Sequence, residues 1–356
     1  MKRRVLVAAV LLAPMLTGVA DAAPKQAPKP AKARYNNPAP KGFKRWNAPG
    51  VAKVTKYIYP KREYVGLFTP GPDKVADAAR FGRATGRKPN IIKNFYNWGD
   101  DYDAAWATGV WKSGALPQLE LELWPRGRGI TMATIAAGAE DAYIRRLALG
   151  IRAAKIPVIF SFAHEFNAEW YPWGTCSRPQ ADDPAVENAC DYMNTPAQWV
   201  AAWRRMHSIF WKAGASNAIW MWQPNETGSR PEIKLRKYWP GANYVDWVGV
   251  VGYQRGTRKK TFNGLFIPTF KQIRTFTKKP IIIPETGAST GKIRNAYIKD
   301  FLAGVAHYPN VIGFIWFNAD KRPAERDGDF VLEHQKSSVK VFKKALTKGA
   351  FGFKVK

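Results

Sequence analysis

Eight short, β-rich apolar segments recur along the chain, and amphipathic stretches with a helical pattern lie between several of them. The segments cover residues 64–68, 90–95, 116–123, 157–162, 218–222, 247–252, 280–284 and 311–317. The clearest helical pattern covers residues 141–154, where apolar side chains recur at steps of three and four. Eight strands that alternate with helices, without a break in composition, predict an α/β fold with a single closed (β/α)8 barrel.

A doubly wound open sheet is the main alternative to this barrel. Such a sheet normally carries a glycine-rich first turn, and neither G-x-G-x-x-G nor a Walker loop occurs in the sequence. The chain has 356 residues, of which 46% are hydrophobic. It is therefore long and apolar enough to bury the core of one large barrel.

The N-terminal residues have the composition of an export signal followed by a linker. Lys2, Arg3 and Arg4 precede an apolar run, and residues 20–22 have the small-x-small pattern that signal peptidase accepts. We expect a secretory signal peptide at residues 1–23, a disordered Pro/Lys/Ala linker at 24–45 and the barrel domain at 46–356. The apolar run is shorter than the roughly 20 residues of a spanning helix. We therefore expect a secreted protein without a membrane span.

The chain contains two cysteines and four histidines. In an oxidising compartment two thiols usually pair, so export predicts a disulfide between Cys176 and Cys190. These counts exclude a multi-zinc or disulfide-rich scaffold, and we expect neither a metal nor a cofactor.

The formal net charge is +29, from 56 Lys and Arg residues against 27 Asp and Glu residues. The basic residues are dispersed and form no recognisable nucleic-acid module, so we expect no nucleic-acid partner. The charge instead favours electrostatic association with an anionic cell wall. We expect the protein to be a monomer.

Two glutamates follow predicted strands that face each other across a small barrel. Glu165 follows the fourth apolar segment, and Glu285 follows the seventh. Catalytic groups of barrels lie at the carboxyl ends of the strands, so both carboxyl groups can enter one pocket. Two carboxyl groups about 5 Å apart are what a retaining glycosidase needs. Aromatic rings near Glu165 should raise its pKa and suit it to the acid, with Glu285 as the nucleophile and Tyr253 as its hydrogen-bond donor.

Tryptophans are the second signal of a sugar site. Trp124, Trp170, Trp173, Trp222 and Trp316 all lie at or beyond predicted strand ends. Indole rings can stack on the apolar faces of pyranose rings, and such rings are typical of small-ligand pockets. Trp199, Trp203 and Trp211 are spaced like one face of a helix, so we interpret them as core.

The segment from His164 to Gly174 reads H-E-F-N-A-E-W-Y-P-W-G and resembles the H-E-M-N-G-x-W-Y-P-W signature of glycoside hydrolase family 26, which includes secreted β-mannanases. Residues 219–225, 238–249 and 284–287 support the likeness in the family's order. The resemblance implies that Glu165 is the acid/base and Glu285 the nucleophile. It implies substrate contacts for His164, Trp170 and Glu122. The positions of Trp173, Tyr253 and Trp316 at or beyond predicted strand ends add these three to the predicted substrate-binding residues.

The resemblance implies a retaining endo-β-glycosidase whose partner is a polysaccharide, with β-1,4-mannan as the first expectation. Val251 stands where the family often has an aspartate. A sugar-binding carboxylate is therefore absent, and mixed-linkage β-1,3/1,4-glucan, β-1,3-xylan or a bacterial exopolysaccharide stay open as substrates. A non-catalytic carbohydrate- or cell-wall-binding protein is the alternative from another class.

Overall fold

A closed barrel of eight parallel strands forms the centre of the computed structural model, in chain order and with the last strand paired to the first. The structure describes residues 38–124, 129–168, 170–174, 194–228, 231–308, 310–322, 328–349 and 351–356. The strands are β1 (Tyr64–Phe68), β2 (Ile91–Asn97), β3 (Leu116–Glu122), β4 (Val158–Phe162), β5 (Ala218–Trp222), β6 (Trp247–Gly249), β7 (Ile281–Thr286) and β8 (Val311–Phe317). The predicted (β/α)8 fold is confirmed.

Helices surround the barrel and connect most of its strands. They are α1 (Thr55–Ile58), α2 (Lys74–Thr85), α3 (Ala104–Lys112), α4 (Met132–Ala137), α5 (Asp141–Ala154), α6 (Pro196–Lys212), α7 (Phe262–Arg274), α8 (Arg294–His307) and α9 (Lys336–Lys348). The predicted helix at 141–154 is confirmed as α5. α6 begins at a reciprocal capping box between Thr195 and Gln198, with Pro196 in its first turn.

The interior of the barrel changes from apolar to polar along the strands. Near their amino ends the inward side chains are apolar: Tyr64, Ile91, Leu116, Ile159, Ile219, Trp247, Ile282 and Ile312. Two residues further along, at the same parity, lie polar side chains that are fully buried: Lys93, Gln118 and Ser161. Successive residues of a strand point to opposite faces, so this parity places the polar layer directly above the apolar one. The barrel therefore has a polar floor beneath the carboxyl ends of its strands.

β7 and β8 depart from regular alternation, and both departures affect the candidate site. The β7–β8 pairing shifts register twice. Pro284 lies within β7 and provides no N–H for the ladder, and β7 continues to Thr286, so Glu285 lies inside the strand rather than after it. In β8, Gly313 has φ 142°, and inward residues are Ile312 and then Ile315. This bulge turns Trp316 outward.

The signal-peptide prediction and most of the linker prediction fall outside the described residues. The end of the predicted linker does contact the barrel: the Phe43 ring lies 5.2 Å from that of Tyr59, and Arg45 donates to the carbonyl of Ala218 at 2.6 Å. Within the described part of the chain, no helix is both long and apolar enough to cross a bilayer. Cys176 and Cys190 also lie outside the described residues.

The tryptophans of α6 separate into two kinds. Trp199 and Trp203 are fully buried, as predicted from their spacing. The prediction for Trp211 is wrong, because its ring is 44% exposed and contacts Trp46. Trp211 follows the buried Phe210 by one position, which rotates its side chain away from the core face of the helix.

Candidate active site

Glu285 accepts a hydrogen bond at each of its two carboxylate oxygens in the polar layer. Lys93 donates from Nζ to its Oε2 at 2.7 Å, and the Tyr253 hydroxyl donates to its Oε1 at 2.6 Å. Burial alone would raise the pKa of Glu285, but the charge of Lys93 and these hydrogen bonds lower it from 4.5 to about 2. Glu285 is therefore a buried carboxylate that stays ionised at neutral and mildly acidic pH.

Lys93 lies between two carboxyl groups at the centre of the barrel. Besides Glu285, it approaches Oε2 of Glu120 at 3.2 Å, and all three side chains are buried. Burial opposes the charge of Lys93, but Glu285 and Glu120 raise its pKa above the ordinary value. Burial raises the pKa of Glu120, against the attraction of Lys93. Lys93 is thus a permanent cation in the interior, and its charge stabilises the ionised form of Glu285.

Glu165 follows β4 in a backbone conformation that non-glycine residues rarely adopt. Both Ala163 and Glu165 have φ 51°. Hydrogen bonds hold this turn, because Ala163 N–H donates to the carbonyl of Leu121 at 2.9 Å and Glu165 N–H donates to that of Gln223 at 2.7 Å. The turn directs the Glu165 side chain toward the neighbourhood of Glu285, and such strained positions are frequent at functional sites.

The environment of Glu165 favours its protonated form. Burial and the nearby negative charge of Glu285 raise the pKa of Glu165 to about 8, although Trp170 donates from Nε1 to its Oε2 at 2.9 Å. The two carboxyl groups therefore hold opposite protonation states between about pH 2 and pH 8. This difference matches the pair of roles, one acid and one nucleophile, that retaining glycoside hydrolysis requires.

His164 packs beside this pair and is neutral. Burial lowers the pKa of His164 to about 3. Its Nε2 shares a hydrogen bond of 3.1 Å with the Tyr171 hydroxyl, and its ring lies 5.7 Å from that of Trp173. Oε1 of Glu122 lies 3.9 Å from His164 Nε2, and burial together with the repulsion of Glu120 raises the pKa of Glu122 to about 8. His164 and Glu122 are thus available as uncharged hydrogen-bonding groups.

An open cavity of about 220 Å³ lies beside the two glutamates, because its lining includes Trp170 and Tyr253, which donate hydrogen bonds to Glu165 and Glu285. It is lined by Asn167, Ala168, Trp170, Asn225, Glu226, Tyr253, Arg255 and Lys260. Trp170 lines this cavity and is 51% exposed. Trp124 is 42% exposed, and its ring makes an edge contact with that of Trp173 at a centroid distance of 5.4 Å. The cavity therefore combines a flat aromatic surface with hydrogen-bonding groups, as a sugar site requires.

The structure brings together the side chains of Glu165, Glu285, His164, Tyr253, Trp170 and Glu122, whereas those of Trp316 and Trp173 are buried. Trp316 is fully buried on the helix side of β8, where its ring lies 5.4 Å from that of Phe342 and its Nε1 donates to the carbonyl of Phe330. The predicted substrate contact of Trp316 is therefore wrong, because the bulge at Gly313 reverses the parity of the strand. Trp173 is 1% exposed, stacks on Tyr171 and donates to the carbonyl of His164 at 2.6 Å. Its ring therefore supports His164, and the predicted substrate contact of Trp173 is also wrong.

Lys93 lies in the site, and Arg255 and Lys260 line the cavity, although no sequence pattern predicted any of the three as site residues. Lys93 is a single charged residue within an apolar strand, and that oddity was the available signal. Arg255 lies over the Tyr253 ring at 4.9 Å, in a loop that no strand pattern identifies.

Asp320, Asp329 and His334 form the group of possible metal ligands found among the described residues, with ligand atoms within 4.8 Å of one another. Arg322 already binds Asp320 at 2.6 Å and approaches Asp329 at 3.7 Å, so a guanidinium provides the positive charge there.

Comparison with known proteins identifies the family. Endoglucanase H of Acetivibrio thermocellus is 27% identical over 282 residues, 76% of this chain, and mannan endo-1,4-β-mannosidase of Bacillus subtilis strain 168 is 25% identical over 297 residues, 73% of this chain. This chain spans 29% of the length of the first relative and 74% of the second. The solved structure of Bacillus subtilis mannanase man26 shares the fold, with a TM-score of 0.54 at 23% identity over 78% of this chain and 89% of that one.

The profile of Glycosyl hydrolase family 26 matches residues 140–336, which is more than half of the chain and includes both glutamates of the site. The chain therefore belongs to glycoside hydrolase family 26, as its H-E-F-N-A-E-W-Y-P-W-G segment implied.

Proposed function

We propose that the protein is a secreted, retaining endo-β-glycosidase that hydrolyses β-1,4-mannan by double displacement. The observation that carries this proposal is the pair of buried carboxyl groups and their contacts: Lys93 and Tyr253 donate to Glu285 at 2.7 and 2.6 Å, and the exposed Trp170 donates to Glu165 at 2.9 Å. These surroundings lower the pKa of Glu285 and raise that of Glu165. A nucleophile must be ionised and an acid must hold its proton at the same pH, and this pair satisfies both conditions.

In the first step a carboxylate oxygen of Glu285 attacks the anomeric carbon of the bound sugar. The bond between that carbon and the leaving oxygen breaks, and Glu165 transfers its proton to the leaving oxygen. The product is a glycosyl ester of Glu285. Loss of negative charge from Glu285 removes the repulsion that raises the pKa of Glu165, which makes Glu165 a suitable base for the second step.

In the second step Glu165 accepts a proton from water while the water oxygen attacks the anomeric carbon. The ester bond breaks, Glu285 leaves as a carboxylate, and both residues return to their starting states. Tyr253 and Lys93 hold the Glu285 oxygens during both steps. Trp170 provides the platform for the leaving-group sugar, since its ring is exposed beside Glu165.

Mannan is proposed as the substrate because the sequence of a mannan endo-1,4-β-mannosidase aligns with 73% of this chain at 25% identity. A β-glucan is the second candidate, for two reasons. The first is that one relative is an endoglucanase. The second is that residue 251, where the family often has an aspartate, is a buried valine that packs with Tyr253, so this position provides no carboxylate to bind a sugar.

The test is hydrolysis by the purified protein of a panel containing β-1,4-mannan, mixed-linkage β-glucan, β-1,3-xylan and a bacterial exopolysaccharide. We expect release of reducing ends from mannan, oligosaccharide products of several lengths, and first products that keep the β-configuration by NMR. Glu285→Gln should abolish turnover. Glu63→Gln is the matched control, because Glu63 is a buried carboxyl residue at the opposite end of the barrel. Hydrolysis by Glu285→Gln at the parent rate, or no hydrolysis of any glycan, would contradict the proposal.

A further inference from the structure

Exposed tryptophan rings occur at two places among the described residues. Trp124 and Trp170 lie at the end of the barrel that carries Glu165. We call the space around Glu165, including the cavity lined by Trp170, the cleft. Trp46 and Trp211 are each 44% exposed and contact each other, with ring centroids 4.5 Å apart and ring planes inclined by 44°. The two rings therefore form a continuous apolar surface, and no step of the proposed reaction uses it.

This tryptophan pair lies at the opposite end of the barrel from the catalytic carboxyl groups. The backbone next to Trp46 is attached to the start of β5: Arg45 donates to the carbonyl of Ala218, and Ala48 N–H donates to Oγ of Ser216 at 2.8 Å. Ala218 is the first residue of β5, whereas Glu165 and Glu285 lie at the carboxyl ends of β4 and β7. A ligand on the tryptophan pair would not compete with one in the cleft.

Contacts fix the backbone beside Trp46 and the helix that carries Trp211 before any ligand binds. Arg45 forms a nearly buried ion pair with Asp246, and the Asn47 side chain donates to the carbonyl of Arg45 at 2.9 Å. Trp211 lies in the last turn of a 17-residue helix, where its ring stacks near that of His207. A rigid aromatic surface binds a ligand at a low cost in conformational entropy. Trp199 and Trp203 lie on the buried face of the same helix and Trp211 does not, so packing of the helix does not require a tryptophan at position 211.

The size of the exposed surface favours a sugar over a protein partner. A tryptophan side chain has up to about 250 Å² of surface, so two rings at 44% exposure offer roughly 200 Å². Protein partners in stable complexes bury about 800 Å² each, which is several times more. The apolar face of one or two sugar rings matches the smaller area, and the cleft of this molecule presents the same residue type to its proposed sugar ligand.

We propose that Trp46 and Trp211 form a second glycan-binding site, which holds a chain of the substrate polysaccharide at the end of the barrel opposite to the cleft. This inference rests on the proposed function for the identity of the polymer. Binding at a second point raises the effective concentration of an insoluble polymer near the enzyme, so the site should matter for insoluble substrate and not for short soluble oligosaccharides.

The experiment uses the full chain and insoluble mannan, with the other polymers of the panel alongside. In a Glu285→Gln background, which prevents hydrolysis, the change Trp46→Ala with Trp211→Ala should weaken binding to the insoluble polymer about five- to tenfold in depletion isotherms. With Glu285 intact, kcat/KM on a soluble oligosaccharide should stay within twofold of the parent value, while the rate on insoluble polymer falls about threefold or more. Leu149→Ala, at another exposed apolar residue, is the matched control and should change neither quantity.

Equal binding of the double variant and the parent would overturn the inference. An equal loss on soluble and insoluble substrate would also overturn it, since that result indicates a structural role. If the double variant unfolds at a lower temperature than the parent, the single change Trp211→Lys replaces it in the same binding and rate measurements, because an exposed last helical turn accepts lysine. If no polymer is hydrolysed, the proposed function fails, but the comparison of binding between the variant and the parent still tests the site.

Discussion

Replacement of Lys93 by methionine tests the electrostatic basis of the site. The substitution keeps most of the side-chain volume but removes the cation that contacts Glu285 at 2.7 Å and Glu120 at 3.2 Å. Both carboxyl groups are buried, so water cannot replace the lost charge. We expect the acid limb of kcat/KM to move upward in pH.

The structure gives the size of this movement. A pKa of about 2 instead of 4.5 for Glu285 corresponds to roughly 3 kcal/mol in favour of its ionised form, at about 1.4 kcal/mol per pH unit. Burial has the largest effect on the pKa of Glu285 and raises it. His164 and the Tyr253 hydrogen bond oppose burial less than Lys93 does, so without Lys93 the pKa of Glu285 should lie at or above 4.5. At pH 3.5 the variant should then have about one tenth or less of its Glu285 ionised, and at least a tenfold lower kcat/KM than the parent relative to pH 6.

The assay is the pH profile of kcat/KM from pH 3 to 8 with an aryl glycoside whose leaving group needs no proton, so that Glu165 does not limit the rate. Loss of one partner from a buried ion pair costs about 3–5 kcal/mol of stability, so circular dichroism should verify folding at each pH. Lys93→Met combined with Glu120→Gln also removes the carboxyl group that Lys93 approaches at 3.2 Å, and this double variant should fold better while keeping the displaced limb. Lys93→Arg keeps the cation and should restore most of the parent profile. Folded parent and Lys93→Met proteins with the same acid limb would refute the reasoning.

Three further changes test separate parts of the site and the fold. Trp170→Phe removes the Nε1 donor that lowers the pKa of Glu165, so the alkaline limb of activity, expected near pH 8, should move to higher pH; an unmoved limb would assign it to another group. Tyr253→Phe leaves Oε1 of Glu285 without its 2.6 Å hydrogen bond, and a loss of about 1.5–3 kcal/mol should lower kcat about 10- to 100-fold in steady-state assays, with melting temperature as the control. Burial raises the folded-state pKa of Glu63 to about 7, so the contribution of Glu63 to stability is present below about pH 4.5 and is lost as pH rises through 7. In Glu63→Gln the melting temperature should fall less over this pH range. An identical fall in both proteins would contradict the assignment to Glu63.

The barrel and the two glutamates were predictable because they depend on patterns that strands impose on sequence. Parallel strands covered on both faces appear as short apolar runs, and all eight runs became strands. The rule that barrels place functional groups at the carboxyl ends of strands identified Glu165 and Glu285 without any contact information. Glu285 nevertheless lies within β7, which continues to Thr286. The pairing of β7 with β8 shifts register around Pro284, and this shift directs the Glu285 side chain into the barrel.

Lys93 and Trp316 were not assigned correctly because a strand buried on both faces does not reveal which face a residue occupies. In β2, Ile91, Ile92 and Lys93 are all buried, so no alternation of polar and apolar residues marks the inward positions. The inward position of Lys93 follows only from closure of the barrel, which aligns it with Glu120 and Glu285 on other strands. Trp316 would face inward if β8 alternated regularly from Ile312, and the bulge at Gly313 reverses it. Glycine is required at position 313, because a Cβ there would lie 2.4 Å from the carbonyl oxygen of Tyr64. A substitution of Gly313 should therefore disturb the pairing of β8 with β1 and change which face each later residue of β8 occupies.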